Sequence, residues 1–496
     1  MSLTGLKERS IRAVSTKLLA ECSRFVVRIV TLMILARLLT PSDFGLVGMV
    51  TAATGIFSLF KDAGLSMVTV QRATISNDEV STLFWLNVAV GLLLGLLTVL
   101  MAPILVSFYQ EPDLFWVAAS LAIGFVFNGV GVQHRALLQR DMKFGVMSGI
   151  DVLAQIVASA VGIGMGLSGY GYWALVGTTV ANPAASTACS WVAKKWLPGM
   201  PNLGVGWQSM VRFGGIATLQ GFVMCIASNL DKILLGRYWG AEILGIYGRA
   251  SQLIAIPSDN LNAATGSVLF SGLSRLQHDS ERIKNYFLKS YSLILSLTIP
   301  STIACAIFAE DIVALVLGPK WGGVTVSFQL LSPAIMVIAL MQPTYWLMIA
   351  LGMASRTLRM SCIIGPLIIL GYVLGLPYGA EGVAMGYSVV MILWVIPGLA
   401  WSVYGSGISL NDLWRSIRSP LISAMAAAMV AWSLQWFYAQ ALSPLLNVIV
   451  SGCILLTAYI MMLFYVMRQK HFYLQTLEGL TGWSFTSAAA RTVSNA

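Results

Sequence analysis

Four charged side chains recur at helical spacing near the amino terminus, inside a stretch that is otherwise largely apolar. Lys17, Glu21, Arg24 and Arg28 follow one another at intervals of four, three and four residues, so a helix would carry all four on one face. Glu21 can pair with Lys17 or with Arg24, which leaves a net positive stripe. A guanidinium group stays charged at any relevant pH and its fork of N–H donors fits phosphate, so this face predicts a site for an anion.

Five more charged residues lie within apolar stretches further along the chain: Asp151, Asp231, Lys232, Arg249 and Asp259. A charge costs about 2.5–3.5 kcal/mol near the centre of a bilayer, so such residues usually face a cavity or one another. The basic members of the two groups are candidates for binding the substrate: Lys17, Arg24, Arg28, Lys232 and Arg249. The acidic members are candidates for ion coupling or charge balance: Glu21, Asp151, Asp231 and Asp259. Ion pairs that only hold helices together are the competing interpretation.

Membrane-spanning helices must position these charges. About 20 mostly apolar residues suffice to cross a hydrocarbon core of about 30 Å. The rule predicts fourteen spans, near residues 13–38, 43–60, 83–108, 114–134, 145–167, 172–193, 213–235, 242–270, 290–308, 324–351, 360–376, 380–404, 419–438 and 445–467. The connections are too short to bury a core of their own. The expected fold class is an all-α, polytopic membrane protein.

Composition excludes several classes of protein. Of the 496 residues, 57% are hydrophobic and only 10% are charged, whereas roughly a quarter of an ordinary globular domain is charged. A soluble enzyme, a disordered chain and a nucleic-acid-binding module are therefore excluded. The six cysteines form no Cys-x-x-Cys pair, and no Gly-Lys dipeptide of a Walker A loop occurs. We expect no metal, no cofactor and no enzymatic activity.

The formal net charge of +10 is explained by membrane topology. If the amino terminus is cytoplasmic, fourteen spans place most of the 30 Lys and Arg residues in cytoplasmic segments. Only Arg37, Arg237 and Lys320 then lie in connections on the opposite side. This asymmetry matches the positive-inside rule. Both termini are predicted to be cytoplasmic, and the basic excess requires no nucleic-acid partner.

An internal repeat divides the chain. Residues 34–48 align without gaps to residues 234–248, an offset of 200 residues. The identical pairs are Leu35/Leu235, Arg37/Arg237, Gly45/Gly245 and Gly48/Gly248. Six spans separate the copies, which predicts a parallel repeat with the substrate path between two lobes. The predicted division is an amino-terminal lobe at 1–200, a carboxy-terminal lobe at 201–410, two further spans at 411–470 and a cytoplasmic tail at 471–496.

Short motifs in the first two thirds of the chain carry a family resemblance. They are Leu35-Ala-Arg-Leu-Leu-Thr-Pro-Ser-Asp-Phe-Gly-Leu46, Asp62-Ala-Gly-Leu65, Val70-Gln-Arg72, Leu83-Phe-Trp-Leu-Asn87, Arg135-Ala-Leu-Leu-Gln139, Val268-Leu-Phe270, Leu273-Ser-Arg-Leu-Gln277 and Val316-Leu-Gly-Pro-Lys-Trp321. The chain resembles the polysaccharide-export flippases of the Wzx/WzxC type, within the multidrug/oligosaccharidyl-lipid/polysaccharide exporter superfamily. The resemblance covers about residues 30–320 and rests on hydrophobic pattern beyond them.

The resemblance implies two six-helix lobes plus two additional helices. It also implies transport of a lipid-linked oligosaccharide, usually on undecaprenyl pyrophosphate, from the inner to the outer leaflet of the bacterial cytoplasmic membrane. Such transport serves exopolysaccharide, capsule or O-antigen (lipopolysaccharide) biosynthesis. The implied partners are the bilayer and, in the same pathway, polymerase and chain-length or export components. The charged stripe of the first span matches no family motif, so its role is inferred from the residues alone.

Two other functions stay open at this point. A cation-coupled multidrug antiporter of the same superfamily would share the fold, but its cavity should present acidic or aromatic residues without a surplus of arginine. An integral-membrane glycosyltransferase or polymerase would need catalytic carboxylates or large external loops. The external acidic residues form no evident paired site: Asp43, Glu111, Asp113, Glu310 and Asp311.

Overall fold

The computed structural model describes residues 3–61, 66, 69–70, 72, 75–201, 207–276, 279–438, 443–470 and 473. Some side chains within its helices fall outside the description, namely those of residues 3–18, 207–221, 223, 258–265, 267–268, 271, 275 and 354. Lys17 and Asp259 are among them, so their predicted roles lie outside the described residues. The predicted tail at 471–496 does too, apart from residue 473.

The described chain folds into helices, with no β-strand in these ranges. They are α1 (Leu3–Leu38), α2 (Pro41–Thr54), α3 (Asn77–Tyr109), α4 (Leu114–Arg140), α5 (Phe144–Leu167), α6 (Trp173–Lys194), α7 (Trp207–Leu276), α8 (Ser280–Ile307), α9 (Ala309–Val316), α10 (Val324–Ala350), α11 (Ala354–Gly375), α12 (Gly379–Val403), α13 (Leu410–Tyr438) and α14 (Pro444–Met461). Each of the fourteen predicted spans corresponds to a helix. The seventh and eighth spans both belong to α7, and the short α9 is not a span.

Nine stretches in the described ranges are long and apolar enough to cross a membrane, and one of them, Ser355–Val403, holds both α11 and α12. Three helices that match predicted spans, α1, α6 and α7, are not among the nine. Glu21, Arg24 and Arg28 interrupt the described part of α1, and α6 carries several hydroxyl and amide side chains. A helix that is too polar for lipid usually faces a cavity. The prediction of a polytopic all-α protein is confirmed.

The helix α7 consists of two arms that meet at Gly240. Gly240 has φ 78° and ψ −176°, and both values lie outside the range of an α-helix. A side chain would be strained at such a φ, so glycine is the residue that allows the chain to turn here. The arm before Gly240 and the arm after it match the predicted seventh and eighth spans. The helix continues through Pro257, where the sequence predicts a kink.

A capping box fixes the start of α2, and with it the connection from α1. The Asp43 carboxylate accepts hydrogen bonds from the Thr40 backbone N–H at 2.8 Å and from the Thr40 hydroxyl at 2.7 Å. Pro41 occupies the first turn, where its missing N–H costs nothing. Asp43 is therefore a helix cap, and the adjacent Phe44 is held in a defined direction.

The chain divides into two compact units. The first contains Met1–Arg249, Val316–Gly323 and Ser361–Val383. Its helices α3 and α4 meet at glycines: a Cβ on Gly91 would lie 2.7 Å from the Phe125 carbonyl oxygen, closer than real contacts allow. The packing therefore requires glycine, as small-residue helix contacts in membranes do.

The second unit contains Ala250–Leu315, Val324–Met360 and Ala384–Ala496. Its core gathers buried side chains of α8, α10, α13 and α14. Two buried tyrosines connect these helices, because the Tyr291 hydroxyl donates to the Leu340 carbonyl and the Tyr459 hydroxyl donates to the Ser296 carbonyl, both at 2.9 Å. Each tyrosine thereby keeps its polar atom satisfied in an apolar interior.

The two copies of the internal repeat contact each other within the first unit, at the start of α2 and the second arm of α7. A Cβ on Gly45 would lie 1.7 Å from the Ala241 carbonyl oxygen, and one on Gly245 would lie 1.9 Å from the Pro41 carbonyl oxygen. Residues 41 and 241 are equivalent at the offset of 200, as are residues 45 and 245. Each copy therefore makes the same contact to the other. We call this the reciprocal glycine contact.

Candidate functional site

The first unit encloses a polar cavity of about 790 Å³ among α2, α4, α5 and α6. Amide and hydroxyl side chains contribute much of its lining, including Asn128, Gln139, Gln155, Thr178, Asn182 and Ser186. Neutral amides and hydroxyls both donate and accept hydrogen bonds, which suits a ligand rich in hydroxyl groups. Phe125 adds an aromatic surface to the same cavity. None of these residues is predicted as a ligand from the sequence, because no regular spacing relates them.

One ion pair stands in the wall of this cavity. Arg135 of α4 donates from both Nη atoms to the Asp151 carboxylate of α5, at 2.6 Å and 3.2 Å. A third hydrogen bond of 3.0 Å joins Arg135 Nη1 to the Ser186 hydroxyl of α6. The three helices are thereby connected by one guanidinium group. Because the two charges compensate each other, this ion pair adds no net charge to the wall, and Lys61 is the remaining charged side chain of the lining.

Arg135 is one of the cations that the topology prediction counts as cytoplasmic. It lies in the last turns of α4 and also lines the cavity. Asp151, a candidate for ion coupling or charge balance, is its partner. Arg135 and Gln139 belong to one of the family motifs. That motif is the feature of the sequence from which these two cavity residues could have been predicted.

The charged face of α1 is only partly neutralised. Arg24 Nη1 contacts both carboxylate oxygens of Glu21, at 3.1 Å and 3.2 Å, in one of the two pairings that the spacing allows. Both side chains are well exposed in the isolated chain. Arg28 continues the same face and forms no ion pair with any residue that the structure describes.

Two of the predicted binding residues come together, although 221 positions separate them in the sequence. Arg28 lies close enough to Arg249, on the second arm of α7, for their like charges to repel each other. The Arg249 guanidinium lies over the Phe44 ring, 4.6 Å from its centroid. Phe44 in turn packs edge-on against the buried Trp321, with ring centroids 5.2 Å apart. We call Arg28 and Arg249 the cationic pair.

The remaining candidates, Asp231 and Lys232, lie on the first arm of α7. The buried Asp231 carboxylate accepts a hydrogen bond of 2.9 Å from the Tyr247 hydroxyl on the second arm. It also accepts one of 2.8 Å from the Lys232 backbone N–H. Asp231 therefore connects the two arms of α7. Among the candidate residues with described side chains, Asp151 alone lines the 790 Å³ cavity.

The acidic residues considered for catalysis are spread over both units. Asp311, at the start of α9, accepts hydrogen bonds from the amides of Asn447 at 2.7 Å and Gln435 at 3.2 Å. Asp43 is the helix cap described above. Within the described residues, no group of three or more His, Cys, Asp or Glu side chains could hold a metal ion.

Sequence comparison assigns most of the amino-terminal two thirds of the chain to one family. The model of a family described as "Polysaccharide biosynthesis protein" matches residues 34–326. The lipopolysaccharide biosynthesis protein WzxC of Escherichia coli (strain K12) is 25% identical over 399 residues, which cover 78% of this chain and 80% of WzxC. The teichuronic acid biosynthesis protein TuaB of Bacillus subtilis (strain 168) is 26% identical over 423 residues, which cover 82% of this chain and 85% of TuaB.

Structural comparison finds the same architecture in a solved transporter. The structure of the lipid II flippase MurJ in an inward closed conformation matches with a TM-score of 0.73 and 13% sequence identity. The match covers 91% of this chain and 99% of the MurJ chain. At this identity the likeness establishes the fold.

Proposed function

This chain belongs to the polysaccharide biosynthesis protein family and is a flippase of the Wzx/WzxC type, and from that premise we propose what it carries and how. It moves an anionic lipid-linked oligosaccharide repeat unit, of the undecaprenyl-pyrophosphate type, from the inner to the outer leaflet of the bacterial cytoplasmic membrane. The product serves exopolysaccharide, capsule or O-antigen biosynthesis. The protein acts as a transporter and catalyses no covalent step.

The observation that carries this proposal is the cationic pair. A pyrophosphate offers oxygen atoms to more than one guanidinium fork, so one bound anion can engage both Arg28 and Arg249. Phe44 holds Arg249 in place by a cation–π contact, so the pair is ordered before the substrate arrives. In a transporter for cationic drugs, such a pair would repel the substrate.

The polar cavity of the first unit is proposed to receive the sugars. Its amide and hydroxyl side chains can exchange hydrogen bonds with sugar hydroxyls, and Phe125 can pack against the apolar face of a sugar ring. Arg135 and Asp151 contribute donors and acceptors to the same wall without adding net charge. The lipid tail would remain in the bilayer.

Transport is proposed to follow alternating access of two lobes, at residues 1–200 and 201–410, with both termini in the cytoplasm. The charge asymmetry of the connections supports this orientation. Lys17, Arg24 and Lys232 would add positive charge along the path, and Glu21, Asp231 and Asp259 would balance it. Polymerase and chain-length or export components are the proposed pathway partners.

Deleting the gene and analysing lipid-linked intermediates by mass spectrometry tests the function. Accumulation of one complete repeat unit on the inner leaflet is the expected result, and its mass gives the sugar composition. Loss of drug resistance without any accumulation would instead favour the multidrug antiporter. A change of polymer length without accumulation would favour the polymerase.

The cationic pair is tested by complementing the deletion with variants. We expect Arg28→Gln with Arg249→Gln to abolish export while the protein remains in the membrane, and Arg28→Lys to retain part of the activity, because it keeps the charge and loses the fork. Arg237→Gln is the matched control, because Arg237 also lies over an aromatic ring, that of Phe108 at 5.4 Å, outside the site. Normal export by the double variant would exclude this role.

A further inference from the structure

A separate group of cations surrounds a second cavity, which lies wholly in the second unit. This cavity, of about 490 Å³, opens where α8 and α13 begin and where the chain continues past α14. Lys289 of α8, Arg415 of α13 and Arg468 line it. We call these three residues the basic triad. Three elements that are distant in sequence thus contribute one positive charge each.

The charge of the basic triad is not neutralised by an ion pair within the part of the chain that the structure describes. Asp412 is the acidic residue in the cavity lining, and its Oδ2 atom lies 2.6 Å from Nζ of Lys284, which is outside the lining. No member of the triad forms an ion pair with a residue that the structure describes. The cavity therefore has a surplus of positive charge, carried by three exposed side chains, that can attract an anion.

One amide oxygen of a residue in the lining is buried and lacks a hydrogen-bond partner among the described residues. The Gln469 Oε1 atom is buried and accepts no hydrogen bond from the described part of the chain. Leaving a buried polar atom unsatisfied costs roughly 1–3 kcal/mol. Rotation of the amide by half a turn would place its N–H donors at this position, where an oxyanion could accept a hydrogen bond. The cavity thus offers a neutral donor beside three cations.

The surroundings of the cavity place it at the level of lipid headgroups. Trp414, Tyr465 and Val466 lie within three residues of Arg415 or Arg468 in the sequence, and they are 55%, 69% and 61% exposed. Aromatic side chains of this kind collect where a membrane meets water. In the span Pro444–Val466, which ends two residues before Arg468, only 22% of an 18-residue apolar window is buried. Much of its surface is therefore available to acyl chains.

We propose that this cavity binds the phosphate of an anionic membrane phospholipid. The basic triad compensates the phosphodiester charge, Gln469 donates to one of its oxygens, and the acyl chains lie along the exposed apolar surface of α14. Basic pockets between membrane helices on the cytoplasmic side recognise anionic lipid headgroups in this way. The site is independent of the transported substrate, because its residues belong to neither the polar cavity nor the cationic pair.

Native mass spectrometry of the full-length protein in detergent tests this proposal directly. Phosphatidylglycerol and phosphatidylcholine with identical acyl chains are titrated in separate samples, and the retained lipid is counted. We expect the wild-type protein to retain phosphatidylglycerol at lower concentration than phosphatidylcholine. The variant Arg415→Gln/Arg468→Gln should lose affinity for phosphatidylglycerol by roughly thirtyfold, since each basic residue near an anionic lipid contributes about a factor of five.

The control variant Arg282→Gln/Arg359→Gln removes two exposed cations of the same unit that do not line the cavity, and should bind as the wild type does. Equal retention of the two lipids by the wild-type protein would overturn the proposal without relying on any variant. Equal losses in the two double variants would overturn it as well. Displacement of phosphatidylglycerol by millimolar inorganic phosphate would show that the cavity takes a soluble anion instead.

Discussion

Single side chains divide the first unit into two chemical environments. Arg135 is engaged by Asp151 and Ser186, so this ion pair gives the polar cavity hydrogen-bonding groups and no net charge, beside Lys61 in the same lining. Arg28 and Arg249 instead bring two like charges together. A substrate with neutral sugars on an anionic pyrophosphate would need both environments. We therefore expect substitutions in the two places to fail in different ways.

The ion pair in the cavity wall gives a prediction at the level of single residues. Asp151→Asn should lower the free energy of unfolding by about 1 kcal/mol, because Arg135 loses its carboxylate partner in a wall that water partly reaches. Arg135→Gln/Asp151→Asn should recover part of that stability but not export, because the sugar contacts stay altered. Thermal unfolding in detergent and an export assay measure the two effects. Wild-type export by all these variants would contradict the role of the cavity wall.

The site residues that could be predicted from the sequence are those whose partners lie close to them along the chain. The spacing of four, three and four residues predicted one charged face on α1, and the contact between Glu21 and Arg24 agrees with it. Arg28 and Arg249 belong to the predicted basic candidates, and neither has an acidic neighbour one turn away in the sequence. Their proximity could not be predicted, since it depends on how α1 packs against α7. Asn128 and Asn182 were missed because neutral amides give no signal in a hydropathy pattern.

At the scale of elements, the reciprocal glycine contact determines how α2 meets the second arm of α7. Both glycines face a carbonyl oxygen of the opposite helix at a distance that excludes any side chain. The contact lies next to Phe44, which holds Arg249, so the backbone packing and the cationic pair share the same segments. At this contact the two repeats meet directly.

Adding one methyl group at this contact provides the prediction for elements. Gly45→Ala or Gly245→Ala should destabilise the protein by about 1–3 kcal/mol and reduce export, because α2 and α7 must move apart to accommodate the Cβ atom. Gly48→Ala and Gly248→Ala are matched controls on the same helices: a Cβ at Gly48 meets only side-chain atoms at 3.6 Å or more, and one at Gly248 meets nothing within 4 Å. Thermal unfolding compares the four variants, and equal losses in both pairs would contradict the explanation.

The positions of the helices could be predicted well because hydropathy depends on local sequence. The two arms of α7 correspond to the separate seventh and eighth predicted spans, since the backbone departs from the helix at Gly240 between them. The helix α6 was expected from its length and apolar residues. Its polar side chains, which make it the wall of a cavity, could be recognised only when α4 and α5 were placed beside it.

For the whole molecule, scarce charge is divided among three uses. Most basic residues lie in connections and are expected to orient the chain in the membrane. A few lie within spans, where they are proposed to bind the substrate. The basic triad, which the topology prediction counts only as orienting charge, surrounds a cavity of its own. Counting charges predicted the topology, but it could not separate these uses, because the distinction depends on which cations share a cavity.

The membrane potential should drive the proposed transport. Moving two negative charges outward across an inside-negative potential of 100 mV releases roughly 4–5 kcal/mol. In proteoliposomes that contain a pyrophosphate-linked lipid oligosaccharide, a potential of about 60 mV imposed with potassium and valinomycin should shift the distribution between leaflets by about a hundredfold. The variant Arg28→Gln/Arg249→Gln is the control. A distribution that ignores the potential would indicate compensation by a cotransported cation.

The reciprocal glycine contact also has a consequence for the origin of the chain. Position 45 of one copy touches position 41 of the other, and the converse contact is equally present. Contacts of this kind are isologous, the form that two identical subunits adopt around a two-fold axis. An ancestral half-length protein with one glycine here could have formed both contacts at once as a homodimer. Gene duplication and fusion would then have preserved the glycine twice, after each half was free to change elsewhere.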